Sequence, residues 1–159
     1  HKLIENHLNN EDDKNVGVTA IEPLGMFRII KPYLARVDNI LCLEEYLYSK
    51  ELGVAGQVDC VAEYKGKLSV VDFKTSTKRR DADYNYANFL QCSAYAKMFE
   101  EMYPEKKIEQ TVVLAACADG FVQEWVHGSD KIKEHQDLFY KHTADFLIRN
   151  KEKLTQITK

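Results

Sequence analysis

A chain of 159 residues with 45% hydrophobic and 11% aromatic content has the make-up of one ordinary globular domain with a real core. Its net charge of −3 excludes a globally basic nucleic-acid or membrane binder, and no apolar run is long enough to span a membrane. Four scattered cysteines, Cys42, Cys60, Cys92 and Cys117, form no Cys-x-x-Cys pair; their spacing argues against zinc and disulfide frameworks, and they read as reduced core residues of an intracellular protein.

The chain begins at His1 rather than methionine, which leaves room for a preceding segment, and no signal-peptide pattern opens it. Residues 1–9 read as the end of an amphipathic helix, with Leu3, Ile4, His7 and Leu8 at helical spacing, broken by the polar stretch 9–15. Pro23 suits the first turn of a second helix, in which Phe27, Ile30, Leu34 and Val37 keep a three-to-four period. Pro32 predicts a kink or two short helices. Strands follow at 41–48, 54–64 and 68–75, the last two joined by a tight turn at Lys65, Gly66 and Lys67, and the three form a meander. The strongest helix signal covers 84–103, with Ala87, Leu90, Ala94, Met98 and Met102 as its buried stripe and Pro104 as its stop. Asp119-Gly120 between apolar runs at 111–118 and 121–127 predicts a hairpin. Ser129 caps a last helix on which Ile132, Phe139 and Phe146 recur every seven residues. The order helix, three strands, helix, two strands, helix describes a single α/β domain over 1–159 with a mixed sheet flanked by helices.

Chemistry concentrates on two neighbouring strands. Side chains alternate along a strand, so Asp72 and Lys74 point to one face and Phe73 to the other. With Asp59 across the ladder, two carboxylates and one ammonium converge, and close carboxylates repel unless a cation sits between them. Oxygen ligands favour a hard divalent ion such as magnesium or manganese. Each charge alone reads as a solvated strand residue. Inside the apolar run Val70-Val71-Asp72-Phe73-Lys74, burial without purpose would be costly. Lys78, Arg79 and Arg80 follow in a loop suited to a phosphate backbone, although Asp81 and Asp83 partly cancel their charge. Gln91 and Tyr95, four residues apart, share a helix face. Tyr84, Tyr86 and Phe89 read first as core packing and second as a stacking surface for bases. His7, His127, His135 and His142 read as histidines without catalytic work, and Glu63 as a solvated strand residue.

The text Gly-Gln-Val-Asp at 56–59, then Val-Val-Asp-Phe-Lys-Thr at 70–75, then Gln-x-x-x-Tyr at 91–95 resembles the PD-(D/E)XK nuclease superfamily. Within it the text is similar to the RecB-like exonuclease branch, with its mitochondrial genome-maintenance and phage members. The resemblance implies a restriction-endonuclease-like fold in the order αβββαββα. It implies a divalent-metal-dependent DNA exonuclease acting on single strands or ends, with magnesium or manganese as cofactor, DNA as partner and no membrane association. Asp59, Asp72 and Lys74 would be catalytic. His1, which opens the text His-x-x-x-Glu with Glu5, would join Asp59, Asp72 and the Phe73 carbonyl at the metal, and Glu44 is a further acid at the family's spacing. Gln91, Tyr95, Thr75, Lys78 and Arg79 would touch DNA. The proline that names the superfamily is replaced by Val58. The cysteines do not follow the pattern of relatives that carry an iron–sulfur cluster, so none is expected. The rival readings are an endonuclease of the same superfamily, an inactive DNA-binding module with this fold, and a purely structural α/β domain. The compartment, a mitochondrion or a phage-infected cytoplasm, stays open.

Overall fold

The computed structural model describes residues 1–11 and 21–157. Among these residues nine elements follow in order: α1 (Lys2–Leu8), α2 (Ile21–Leu34), β1 (Val37–Ser49), β2 (Val54–Tyr64), β3 (Lys67–Ser76), α3 (Ala82–Met102), β4 (Gln110–Cys117), β5 (Val122–Gly128) and α4 (Ser129–Ile157). The strands form one sheet in the order β1-β2-β3-β4-β5. β3 and β4 run parallel and every other pair is antiparallel, so the sheet is mixed. A parallel pair needs a long crossover, and α3 supplies it. No helix among the described residues is long and apolar enough to cross a membrane.

Local chemistry sets the turns. Tyr64 pairs with Lys67, leaving a two-residue loop in which Lys65 (φ 51°) and Gly66 (φ 78°) both take positive φ. That backbone twist matches a tight hairpin. The expected Asp119-Gly120 hairpin forms as well, with Gly120 at φ 90° and its N–H donating to the Cys117 carbonyl at 3.0 Å. Asp81 caps α3, its Oδ1 accepting the Tyr84 N–H at 2.9 Å, so that helix starts before the sequence signal does.

The sheet carries a core on each face. One gathers Leu47, Val58, Val61, Val70, Cys92 and Phe99, with α3 and α4 over it; the other gathers Phe27, Ile30, Tyr64, Val71, Phe73 and Leu114, with α1 and α2 over it. All four cysteines are buried and unbridged.

Several local expectations need correction. Val37 opens β1 rather than continuing α2. α2 is one helix through Pro32, which falls in its last turn; the proline removes one backbone bond there, and the chain leaves the helix two residues later. Part of the polar break after α1, residues 12–15, lies outside the described residues. Strand β1 starts four residues early because a bulge between Asp38 and Cys42 absorbs its polar segment. The buried stripe of α3 is misplaced. Ala94 and Met98 are buried, but Ala87 is exposed and Leu90 half-buried, while Asn85, Phe89, Cys92, Ser93, Ala96 and Phe99 go inside. The helix lies between the sheet and α4, so its buried face is wider than one stripe. On α4, Ile132 is buried but Phe146 is 59% exposed. Gln136 Nε2 donates to the Ser93 carbonyl at 3.1 Å, which sets the two helices level, so Phe146 falls beyond the last turn of α3.

Candidate active site

The site forms where β2 and β3 part. Their ladder runs from the turn as far as Cys60 opposite Val71. One more step would set Asp59 opposite Asp72, but the pairing stops there. Instead Asp59 Oδ2 accepts the Phe73 N–H at 2.8 Å, taking the place of a strand partner. Beyond this point β2 stays with β1 and β3 stays with β4. The sheet therefore opens at the two aspartates.

On β3, Lys74 reaches back to Asp72, its Nζ 2.9 Å from Oδ1 and 2.8 Å from Oδ2. Asp72 is only 3% exposed. Its buried Oδ2 has no hydrogen-bond donor, because the ammonium beside it is out of line for one. On β1, Leu43 pairs with Cys60 and Glu45 with Val58, so Glu44 lies across from Asp59. Glu44 has φ 53°, a strained value for a residue with a side chain, and Gln57 Nε2 holds its carbonyl at 2.9 Å. His1, at the start of α1, completes the group: Nδ1 lies 3.7 Å from Asp59 Oδ2 and 3.9 Å from Glu44 Oε1. One ligand atom from each of His1, Glu44 and Asp59 lies within 4.8 Å of the other two. The spacing and donor set suit a small divalent ion.

Electrostatics agree with a patch short of positive charge. Burial pushes the Asp72 carboxyl up to about 6, with Lys74 opposing and Asp59 adding. Burial also raises Asp59, against the Phe73 N–H and Lys74. Glu44 rises through burial and the charge of Asp59. For Lys74, burial works against its charge, but Asp72 and Asp59 outweigh it and hold its pKa above the usual lysine value. Lys74 is therefore a fixed cation beside three carboxyls whose anionic forms lack full compensation.

From α3, Tyr95 packs over the β2 backbone at Gly56. A Cβ added at Gly56 would meet Tyr95 Cε1 at 2.9 Å and Oη at 3.0 Å. Gln91 Nε2 donates to Tyr95 Oη at 3.2 Å, and burial raises the phenol. This contact gives the glycine of Gly-x-x-Asp its physical reason, which the sequence reading did not supply.

Two cavities flank Lys74 and Thr75. One, of about 470 Å³, lies between α1, α2 and the sheet and includes His1, Phe27, Ile30 and Phe73 in its wall. The other, of about 270 Å³, leads to Arg80, Tyr84 and Asn88. Thr75 and Lys78 are exposed. Arg79 is drawn to Asp119 at 3.4 Å and lies over the Phe121 ring at 4.0 Å.

The structure thus brings His1, Glu44 and Asp59 together and sets Asp72 against Lys74 beside them. Sequence reasoning set Asp72 with His1 and Asp59 at the metal and gave Glu44 as a further acid; the parting of β2 from β3, which turns Asp59 onto the Phe73 N–H, has no sequence signal. The sequence reading grouped Lys78, Arg79 and Arg80 as one basic loop and did not separate Arg80, which lines the second cavity, from Arg79, which faces Asp119.

The chain is similar to known proteins. The chain is 29% identical over 154 residues to mitochondrial genome maintenance exonuclease 1 of Mus musculus, covering 96% of this chain and 44% of that protein. It is 28% identical over 122 residues to the Homo sapiens protein of the same name, covering 76% of this chain and 36% of that one. The chain therefore spans less than half the length of these curated relatives. Among solved structures, a Eubacterium rectale protein provisionally named an exonuclease superposes with a TM-score of 0.60 at 10% identity, over 95% of this chain and 66% of that one, a likeness of fold alone. The family model of the PD-(D/E)XK nuclease superfamily matches residues 4–155, and with the parted strands, the two aspartates and the lysine in place, this chain belongs to that superfamily.

Proposed function

We propose that the chain is a divalent-metal-dependent deoxyribonuclease, and within that class an exonuclease that hydrolyses phosphodiester bonds in single-stranded DNA or at DNA ends. The observation that carries this reading is the pairing of a buried Asp72 with Lys74, next to three ligand groups from three different elements. The resemblance to exonucleases supports the end-directed part.

His1, Glu44, Asp59 and Asp72, with the Phe73 carbonyl, would hold magnesium or manganese. The unsatisfied Oδ2 of Asp72 and the raised carboxyls fit such an ion. When bound, a divalent ion offers Lewis-acid charge relief to the phosphate and lowers the pKa of water. Lys74, charged and held by Asp72, donates hydrogen bonds to the attacking oxygen and to the phosphate as negative charge builds. Asp59 keeps the strands apart through the Phe73 N–H, which keeps the phosphate's approach open. Gln91 and Tyr95 position the strand from α3, and Thr75 and Lys78 contact its backbone. No covalent intermediate is needed; the residues act by position and charge.

Purified protein is expected to degrade end-labelled single-stranded DNA with magnesium or manganese and to stop when chelator is added. Asp72→Ala and Lys74→Ala should each lower the rate by at least about 10²-fold. Full activity of both variants would overturn the proposal. Covalently closed circles separate the two nuclease readings: resistance supports an exonuclease, and cutting supports an endonuclease.

A further inference from the structure

Arg80 stands apart from its basic neighbours. Its backbone is clamped to β5 from both sides: the N–H donates to Gln123 Oε1 at 2.7 Å, and the carbonyl accepts from Gln123 Nε2 at 2.8 Å. Its guanidinium lies over the Tyr84 ring, 4.2 Å from the centre. Arg79 has a carboxylate partner in Asp119. Arg80 has none among the described residues, and its buried Nε has no hydrogen-bond partner. A guanidinium that is positioned, partly desolvated and short of an acceptor favours an anion.

The space around it has the matching character. The cavity of about 270 Å³ runs from Lys74 and Thr75 to Arg80, and no carboxylate lines it. Thr75, Thr77 and Asn88 add hydroxyl and amide donors to the two cations. A cavity lined by two cations and by hydroxyl and amide donors suits a tetrahedral oxyanion. Because Lys74 belongs to both the cavity and the catalytic pair, an anion held there lies one step along the strand from the reacting phosphate.

We infer that this cavity holds a phosphate of the nucleic-acid strand, next to the one at Lys74, with Arg80 as its fixed cation. Arg80 is a positioning residue: it sets the register of the strand over the site and takes no part in bond making. The inference rests on reading the chain as a nuclease, but its test is binding in chelator. A protein that binds as expected without cutting would sink that reading and leave this one standing.

The test uses the whole chain and short single-stranded oligonucleotides without terminal phosphates, each with one neutral methylphosphonate linkage placed in turn along the strand. Arg80→Gln should weaken binding of the unmodified strand about tenfold and lower the slope of log affinity against log salt by about 0.7, the loss of one phosphate contact. Lys106→Gln, which removes one positive charge beyond the other end of α3, should stay within about twofold. One linkage position should weaken wild type and add nothing further to Arg80→Gln, because both changes remove the same contact. The same strands carrying a 5′- or 3′-phosphate separate the two sources of the anion. Coupling to a linkage assigns the pocket to an internal phosphodiester, and coupling to an end group assigns it to a terminal phosphate. Additive penalties at every position and at both ends would overturn the inference. The wild-type series reads out even if the variant folds poorly.

Discussion

Gly56 and Tyr95 show how closely single residues set this site. The ring fills the space a side chain at position 56 would need, with approaches of 2.9 and 3.0 Å. Gly56→Ala must therefore push Tyr95, and with it the Gln91 contact. The expected cost is about 1–3 kcal/mol, read as a fall of several degrees in melting temperature. In a Tyr95→Ala background the same change should cost little; an equal cost in both backgrounds would contradict the contact. The Asp72–Lys74 pair gives a second prediction. Buried charge pairs often cost more to desolvate than their attraction returns. Replacing both, as Asp72→Asn with Lys74→Met, should leave the metal-free melting temperature equal or higher while activity disappears. A melting temperature lower by many degrees would make the pair structural. Asp59, Asp72, Lys74, Gln91 and Tyr95 were all legible in the sequence because their spacing survives in the text. Glu44's place beside His1 and Asp59 was not, since it depends on a strained φ and a ladder that stops at Cys60.

Among elements, the joint of α3, α4 and β5 depends on neutral histidines. Phe89 of α3 packs edge-on to His127 of β5 at 4.5 Å and stacks with His135 of α4 at 6.0 Å. Burial lowers the pKa of both, with the neighbouring His135 adding to the effect on His127. Their folded pKa values lie below the ordinary 6.5, so the unfolded chain takes up protons first. The contribution of the joint is intact above that pH and is lost as pH falls through it toward the folded values. The raised carboxyls of the site act in the opposite sense, since acid relieves their buried charge. The histidine share is therefore a difference: wild type should lose more stability to urea between pH 7.5 and about 5.5 than His127→Gln with His135→Leu. Parallel pH curves would contradict it. The sequence read these histidines as bystanders to catalysis and placed Ile132 correctly, but it could not show where α4 outruns α3. Heptad spacing records a face and not the length of its partner.

At the scale of the whole molecule, three layers serve one opening. Two helices on each face bury the sheet, and the α3 crossover makes β3 and β4 parallel, so β3 leads Asp72 and Lys74 to the parted end. The element order, the mixed sheet and the hairpins were readable from periodicity and turn residues. The parallel pairing of β3 with β4 and the second cavity beside Lys74 were not, because they arise from packing between distant segments. An ion that binds only the folded chain stabilises it, by about 2.7 kcal/mol at a hundredfold excess over its dissociation constant. Manganese should therefore raise the melting temperature of wild type, and Glu44→Gln with Asp59→Asn should remove that rise. The most direct measurement is the manganese anomalous-difference map of a soaked crystal. The account predicts one strong peak within bonding distance of Glu44 and Asp59, beside the Asp72–Lys74 pair. A map with no peak there, from crystals of protein that still cuts DNA, would contradict it.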